Sequence, residues 1–277
     1  MKSMVKIQEM TFAYPSPKGV APPVLRGINL SIPRGRYVAM MGPNGSGKST
    51  LGKIIKGLLT PSSGQIWIGG LPLRAGEISG QVGYIFSNPE NQIVSSLVEE
   101  EVAFGLGNRG INPSVMSQRV EESLRLVGME AYRFHSPHLL SGGQQQKVVI
   151  AGVLAMECDL LVLDEPTSML DLGDRAEILD LFKKIHASGD KTLLLITHSL
   201  EEALEAQDLI YLQDGQISFR GSPEDLLTKK PLPVPSEIHF PPLLRLIQGL
   251  RERGHSIPPG VRSLEELKNF FLHRKDR

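Results

Sequence analysis

Apolar positions along the chain follow two different periods. Ile28, Leu30 and Ile32 alternate with polar residues, the pattern of a half-buried antiparallel strand. GQIWIGG, Gly64–Gly70, reads as a second such strand bounded by glycines, with Trp67 as a packing residue. Later the spacing lengthens. Ile178, Leu181, Phe182 and Ile185 fall on one face of a helix that should stop near Gly189. TLLLIT, Thr192–Thr197, predicts a short buried strand, and SLEE, Ser199–Glu202, a capping box that opens the next helix. Strands alternating with helices imply a parallel sheet with helices packed on it.

A proline-rich stretch, Pro231–Pro235, marks a boundary. Beyond it Phe240, Leu243, Leu244 and Ile247 return to helical spacing. A second SLEE, Ser263–Glu266, opens a last helix carrying Leu264, Leu267 and Phe271. These read as two short amphipathic helices around Pro258 and Pro259, suited to covering the main core or meeting a partner. There is no internal repeat and no low-complexity tract.

Composition narrows the class. The 277 residues suit one large domain, or one with a small appendage, and 40% apolar content supports a real core. The formal net charge is zero, which argues against a nucleic-acid partner. One cysteine, Cys158, excludes an intrachain disulfide and fits a reducing compartment. MKSMVKIQEM lacks the apolar region of a signal peptide. The longest apolar run, near Val148–Met156, is too short to cross a bilayer. The expectation is a chain soluble by itself and free to dock on a membrane protein.

The chemistry starts at GPNGSGKST: Gly42, Pro43, Asn44, Gly45, Ser46, Gly47, Lys48, Ser49 and Thr50. Its glycines let backbone N–H groups turn around phosphate oxygens, and the following helix adds its positive end. Lys48 would reach the β- and γ-phosphates, and Ser49 would offer its hydroxyl to Mg²⁺. YVAMM, Tyr37–Met41, supplies the strand before the loop. Leu51, Ile54, Ile55 and Leu58 supply the helical face after it. LLVLDE, Leu160–Glu165, ends a buried strand on two acids. Asp164 would hold Mg²⁺ and Glu165 would polarise the attacking water.

LLSGGQQQK, Leu139–Lys147, offers a second helix start with exposed backbone N–H groups, capped by Ser141 and Gln144. One nucleotide does not need two such termini so far apart in one chain; two chains facing each other would use both. Here the sequence strongly resembles the ATP-binding-cassette family over about residues 4–225. The LSGGQ signature stands at Leu140, Ser141, Gly142, Gly143 and Gln144. SMLD resembles the family's D-loop, with Ser168 and Asp171 in place and Met169 where alanine is more usual. His198 matches the switch histidine, and Tyr14 the aromatic that stacks on adenine. His135 and His138 have no such context and read as solvated. The resemblance implies catalytic Glu165, His198 and Lys48. It also implies a head-to-tail pair in which each ATP lies between one chain's phosphate loop and the other's Ser141–Gly143. ATP would close the pair and hydrolysis would reopen it.

YIFSNPENQ, Tyr84–Gln92, departs from the family at one letter. The family has a glutamine near the metal where this chain has Ser87, whose shorter arm would need a backbone shift or a bridging water to reach the ion. The remainder, Asn88, Pro89, Glu90, Asn91 and Gln92, followed by EEEVAFGL, resembles the ATP-binding subunits of energy-coupling-factor (ECF) transporters. The C-terminal segment resembles the helical extension of the same subunits.

The expectation is therefore an α/β protein with a P-loop NTPase (RecA-like) core, an antiparallel β subdomain and an α-helical subdomain at about 88–150 carrying the signature. Residues 1–228 would form the nucleotide-binding domain, and 229–277 a helical extension able to mediate dimerisation. The implied function is the ATPase of an importer of vitamins or transition-metal ions, on the cytoplasmic face of the membrane. Its partners would be a second ATPase subunit of the same or a related chain, a transmembrane coupling subunit through Ser87–Gln92, and a substrate-binding membrane subunit. Alternatives are the ATPase of another importer or exporter, a soluble cassette protein of DNA repair or translation, and a nucleotide-binding module without hydrolysis. The chain has no room for a repair-type coiled coil and carries one cassette where translation members carry two. Glu165 and His198 speak against a module without hydrolysis.

Overall fold

A computed structural model describes residues 2–16, 19–189, 191–228, 242–258, 261 and 264–272. The strands that matter to the site run in order as β1 (Ser3–Phe12), β2 (Leu25–Pro33), β3 (Tyr37–Met41), β4 (Ser63–Ile68), β5 (Val82–Ile85), β6 (Leu160–Asp164), β7 (Thr192–Ile196), β8 (Asp208–Gln213) and β9 (Gln216–Gly221). The helices are α1 (Lys48–Lys56), α2 (Val98–Asn108), α3 (Pro113–Val127), α4 (Gly142–Ala155), α5 (Leu172–Ala187), α6 (Leu200–Ala203), α7 (Pro223–Thr228), α8 (Pro242–Glu252) and α9 (Leu264–Leu272).

Two sheets organise the chain. β2, β1 and β4 are antiparallel neighbours, extended by a short strand at Leu71–Pro72. The larger sheet has the order β9-β8-β3-β7-β6-β5, parallel except for β9. All five residues of β3, β6 and β7 are buried, the continuous apolar run of a sheet covered on both faces. Alternate residues serve two cores. Val38, Met40, Val162, Leu194 and Ile196 pack with α1 and the antiparallel sheet. Ala39, Met41, Leu161, Leu163 and Leu195 pack with α2, α4 and α5. Truncating such a residue, Leu163→Ala for example, costs about 2–5 kcal/mol.

Register sets the site. Asp164 lies opposite Ile196, and Ile196 opposite Met40. Three parallel strands thus end level, and the segments that follow them emerge along one carboxyl edge, where ligands of open α/β sheets bind.

The periodicities named above largely match these elements, with three differences. α1 ends at Lys56 because Gly57 closes it in the left-handed conformation, so Leu58 lies past the helix and is exposed. β4 stops at Ile68, and Gly69 and Gly70 form the turn after it. Trp67 is half-buried and carries the Lys6 ammonium 5.1 Å over its ring. Ser199 caps α6, but the Glu202 side chain does not return the cap; it is buried elsewhere. In the C-terminal segment Ile247, Ile257, Val261 and Leu267 join the core that holds α2, α4 and α5. Arg251 there donates to the Ile257 and Pro258 carbonyls at 3.1 and 2.7 Å. Pro231–Pro235, Phe240, Pro259 and Ser263 lie outside the described residues.

Candidate active site

The Gly42–Gly47 loop joins β3 to α1, and close contacts exclude a side chain at Gly42 and Gly47. A Cβ on Gly42, at φ 153°, would fall 2.0 Å from the Leu212 carbonyl oxygen. Gly47, at φ 102°, caps α1 without any side-chain acceptor, and the first turn of α1 carries no acid. The helix start therefore keeps free N–H groups and an uncompensated positive end, suited to an anion. Lys48 Nζ donates to the Gly42 and Pro43 carbonyls at 2.9 and 3.0 Å. Burial lowers the Lys48 pKa, while Glu165 and Asp164 pull it back up. A cavity of about 360 Å³ opens on this loop, lined also by Ser49, Thr50, Tyr14 and Glu165. The exposed Tyr14 ring stands edge-on against Phe12 at 4.8 Å, and its hydroxyl lies 3.0 Å from Thr50 Oγ1. Ser46 is buried in the loop, and its hydroxyl has no hydrogen-bond partner among the described residues.

Asp164 is buried at the end of β6 with a donor on each oxygen. Ser49 Oγ donates to Oδ1 at 2.8 Å and the Tyr84 hydroxyl to Oδ2 at 2.7 Å. Burial, then the neighbouring Asp164 charge, raises the Tyr84 pKa, so the phenol stays a donor. Ser49 and Asp164 offer adjacent hard oxygens, the donor set of a Mg²⁺ that completes its shell with phosphate and water. Among the described residues no group of three or more His, Cys, Asp or Glu could hold an ion unaided.

Glu165 leaves the strand at φ 50°, and its N–H donates to the Ile196 carbonyl at 2.9 Å. His198 Nδ1 lies 3.4 Å from Glu165 Oε2. Ser168 Oγ donates back to the Glu165 carbonyl at 3.0 Å. Asp171 caps α5 by accepting from the Asp174 N–H at 2.9 Å.

The signature residues lie elsewhere. Ser141 caps α4 with the expected box: its hydroxyl accepts from the Gln144 N–H at 3.2 Å, and Gln144 Oε1 accepts from the Ser141 N–H at 3.0 Å. Ser141 and Gly142 are exposed, and Leu140 is half-buried. Gly143 is buried against α5, where a Cβ would meet the Asp174 carboxylate at 2.2 Å. None of Leu140–Gln144 lines the phosphate-loop cavity.

Ser87 is half-buried past β5 and also lies outside that cavity's lining. Asn88 caps a short 3₁₀ turn, Pro89–Asn91, by accepting from the Glu90 N–H at 2.9 Å. Gln92 ties back to the strand end, its Oε1 accepting from the Phe86 N–H at 2.7 Å. The amide is thus spent on the loop. Val94, Phe104 and Phe134 are exposed beyond this loop, and His135 and His138 are exposed as expected.

Sequence reasoning missed two groups. One is Tyr84, whose signal was a phenol inside an apolar strand, since a buried tyrosine hydroxyl usually has a partner. The other is Glu202, read as a cap. It is 3% exposed and accepts from Thr167, Thr197 and Arg175.

Comparison with known proteins identifies the family. The ABC transporter family profile matches residues 25–168. The energy-coupling factor transporter ATP-binding protein EcfA1 of Caldanaerobacter subterraneus subsp. tengcongensis is 38% identical over 98% of this chain and 99% of that protein. EcfA1 of Enterococcus faecalis is 40% identical over 98% of each. The structure of CbiO1 from Clostridium perfringens, part of the ABC transporter complex CbiONQ, superposes with a TM-score of 0.75. It is 30% identical and covers 90% of this chain and 100% of that one. The dimeric ATP-binding cassette MJ0796 bound to ADP and Pi gives 0.70 at 30% identity, covering 79% and 99%.

Proposed function

The chain belongs to the ABC transporter family, among proteins similar to the ATP-binding subunits of energy-coupling factor transporters, and from that premise we propose that it binds and hydrolyses ATP to power an ECF-type importer of vitamins or transition-metal ions. The observation that carries the reading is the shared edge of β3, β6 and β7: one cavity gathers Lys48, Ser49 and Glu165, with Asp164 and His198 in direct contact with its lining.

Each residue has a role in that reaction. The backbone N–H groups of Gly42–Thr50 and the Lys48 ammonium cradle the phosphates. The Tyr14 ring, exposed at the cavity mouth, stacks on the base. Ser49 and Asp164 hold Mg²⁺, which when bound neutralises charge on the phosphates. Glu165 accepts a proton from the attacking water. His198 orients Glu165 and donates toward the transferring phosphoryl group. Ser87 contributes no direct ligand. The exposed Ser141 and Gly142, with Gly143, would serve the ATP of a second subunit, this chain or a related one, in a head-to-tail pair. Their separation from this chain's own phosphate cavity supports that pairing, as does the dimeric cassette bound to ADP and Pi. Binding energy that spans both halves exists only in the closed pair, so ATP drives closure and hydrolysis reopens it.

Residues 1–228 form the nucleotide-binding domain in this reading, with 88–150 as its helical part, and 229–277 an extension that contributes to pairing. Among the described residues no helix is long and apolar enough to cross a membrane. Membrane attachment would come through a transmembrane coupling subunit gripped near Ser87–Gln92, with a separate membrane protein holding the substrate. The assembly then sits on the cytoplasmic face.

The test is co-purification from gently solubilised native membranes with the tagged chain. Recovery of a coupling subunit, an ATPase partner and a substrate-binding membrane protein, with Mg²⁺-dependent ATPase activity, is the expected result. Recovery only from the soluble fraction overturns the transport role.

A further inference from the structure

Between the two loops that carry Glu165 and His198 lies a carboxylate that the hydrolytic reading does not use. Glu202 is 3% exposed. Its Oε1 accepts from Thr167 Oγ1 at 2.5 Å and faces Arg175 Nε at 2.9 Å, and its Oε2 accepts from Thr197 Oγ1. Arg175 also donates to Ser199 Oγ at 2.6 Å, and Thr197 Oγ1 accepts from the Ser199 N–H at 3.0 Å. A buried charge this well supplied with donors is satisfied, and its neighbours are held in one arrangement.

The topology of those donors is informative. Thr167 is two residues after Glu165, and Thr197 is one residue before His198. Arg175 lies in the first turn and a half of α5, just past its cap Asp171. One carboxylate therefore joins the loop of the proposed base, the loop of the histidine and the helix that follows the D-loop. A cavity of about 90 Å³ lies among them, lined by Glu165, Ser168 and His198 as well as by Thr167, Thr197 and Glu202.

We propose that Glu202 is a positioning residue for hydrolysis. Resting on the reading of Glu165 as base and His198 as its partner, it fixes the spacing of their two loops through Thr167 and Thr197. The inference needs no contact between Glu202 and the nucleotide. It follows that loss of the tie lowers turnover while leaving nucleotide binding, which depends on the Gly42–Thr50 loop, in place.

The experiment measures steady-state ATPase and the affinity for a non-hydrolysable ATP analogue in the purified full assembly. Glu202→Gln, Thr197→Val and Thr197→Ser are compared with wild type and Glu165→Gln. Misplacing a reacting group by about 1 Å costs on the order of 10²-fold, so kcat in Glu202→Gln and Thr197→Val should fall about tenfold to a hundredfold. Analogue affinity should stay within about twofold of wild type, and Thr197→Ser, which keeps the hydroxyl, should restore turnover. Because both losses remove one tie, the double variant should be little worse than the worse single. If Glu202→Gln does not fold, the Thr197 pair decides alone. Equal loss of kcat and affinity, additive losses, or full turnover in folded Thr197→Val overturns the proposal. Wild type no faster than Glu165→Gln overturns the hydrolytic reading itself, and the proposal with it.

Discussion

Tyr84→Phe removes one oxygen and keeps the ring, which packs at 4.5 Å against Phe86. That oxygen is the buried donor to Asp164 Oδ2. A hydrogen bond to a charged group contributes about 1.5–3 kcal/mol, and Ser49 cannot replace it because its hydroxyl serves the other oxygen. At roughly 2–4 °C per kcal/mol for a domain of this size, the full chain should melt about 3–12 °C lower. The control is already in the molecule. Tyr37 is equally buried, but its hydroxyl has no hydrogen-bond partner among the described residues, so Tyr37→Phe should be neutral or stabilising. The second readout is function. Losing a hydrogen bond that orients a metal-binding carboxylate weakens metal binding about 10–100-fold, so the Mg²⁺ needed for half-maximal hydrolysis should rise by that factor in Tyr84→Phe alone. Equal melting temperatures for the two variants would refute the hydrogen-bond argument. An unchanged Mg²⁺ requirement beside a lowered melting temperature would show that Asp164 is not the carboxylate that holds the ion.

Three further outcomes follow from the same geometry. Ser87→Gln should raise ATPase activity of the assembly severalfold, because the longer amide spans a distance for which serine needs a backbone shift or a bridging water; an unchanged rate and metal dependence makes Ser87 a neutral variation. Glu165→Gln should lower kcat about 10²–10⁴-fold and leave ATP trapped in a closed pair, visible by sizing; wild type that already behaves this way contradicts a hydrolytic role. Glu99 and Arg133 form a two-point ion pair at 2.7 and 2.9 Å, and that hydrogen bonding holds the Glu99 pKa below its ordinary 4.5. A depressed carboxylate stabilises the fold above its unfolded pKa, and that contribution disappears as pH falls through the folded value. Glu99→Gln should therefore lower the melting temperature at neutral pH and converge with wild type well below pH 4.5; a constant difference across that range removes the pair from the acid response.

What the sequence disclosed was local. The phosphate loop, the β6 strand ending in two acids and the capping box at Ser141 each depend on residues within a few positions of one another. A glycine requirement such as that at Gly42 is legible as a motif even though its cause, the Leu212 carbonyl, lies on another strand. What stayed hidden was set by distance along the chain. Tyr84 meets Asp164 across 80 positions, and Glu202 meets Thr167 across 35. Glu202 also sat three residues after a serine, which is the pattern of a cap, and tertiary contacts overrode it. Leu58 was assigned to α1 by spacing, but the left-handed Gly57 ended the helix first. Gln92 illustrates the reverse case. The sequence places it only within a loop pattern, and the fold uses its amide to finish a strand end.

Glu165 shows why the site needs both kinds of information. In a straight strand Asp164 and Glu165 would point to opposite faces, and one acid would be lost to the cavity. The left-handed turn at Glu165, φ 50°, breaks that alternation at a cost of about 1–2 kcal/mol for a residue with a Cβ. Asp164 then keeps Ser49 and Tyr84, while Glu165 lines the cavity with Lys48 and meets His198. The strained backbone is held from both sides. Its N–H donates to Ile196 on the next strand, and its carbonyl accepts from the Ser168 hydroxyl and N–H. All three bonds involve residues next to Thr167 or Thr197, the two threonines that Glu202 ties together. Glu165 thus depends on a neighbouring strand for its turn, on its own loop for its angle, and on a carboxylate 37 positions away for the spacing of the two loops, counted from Glu165 to Glu202.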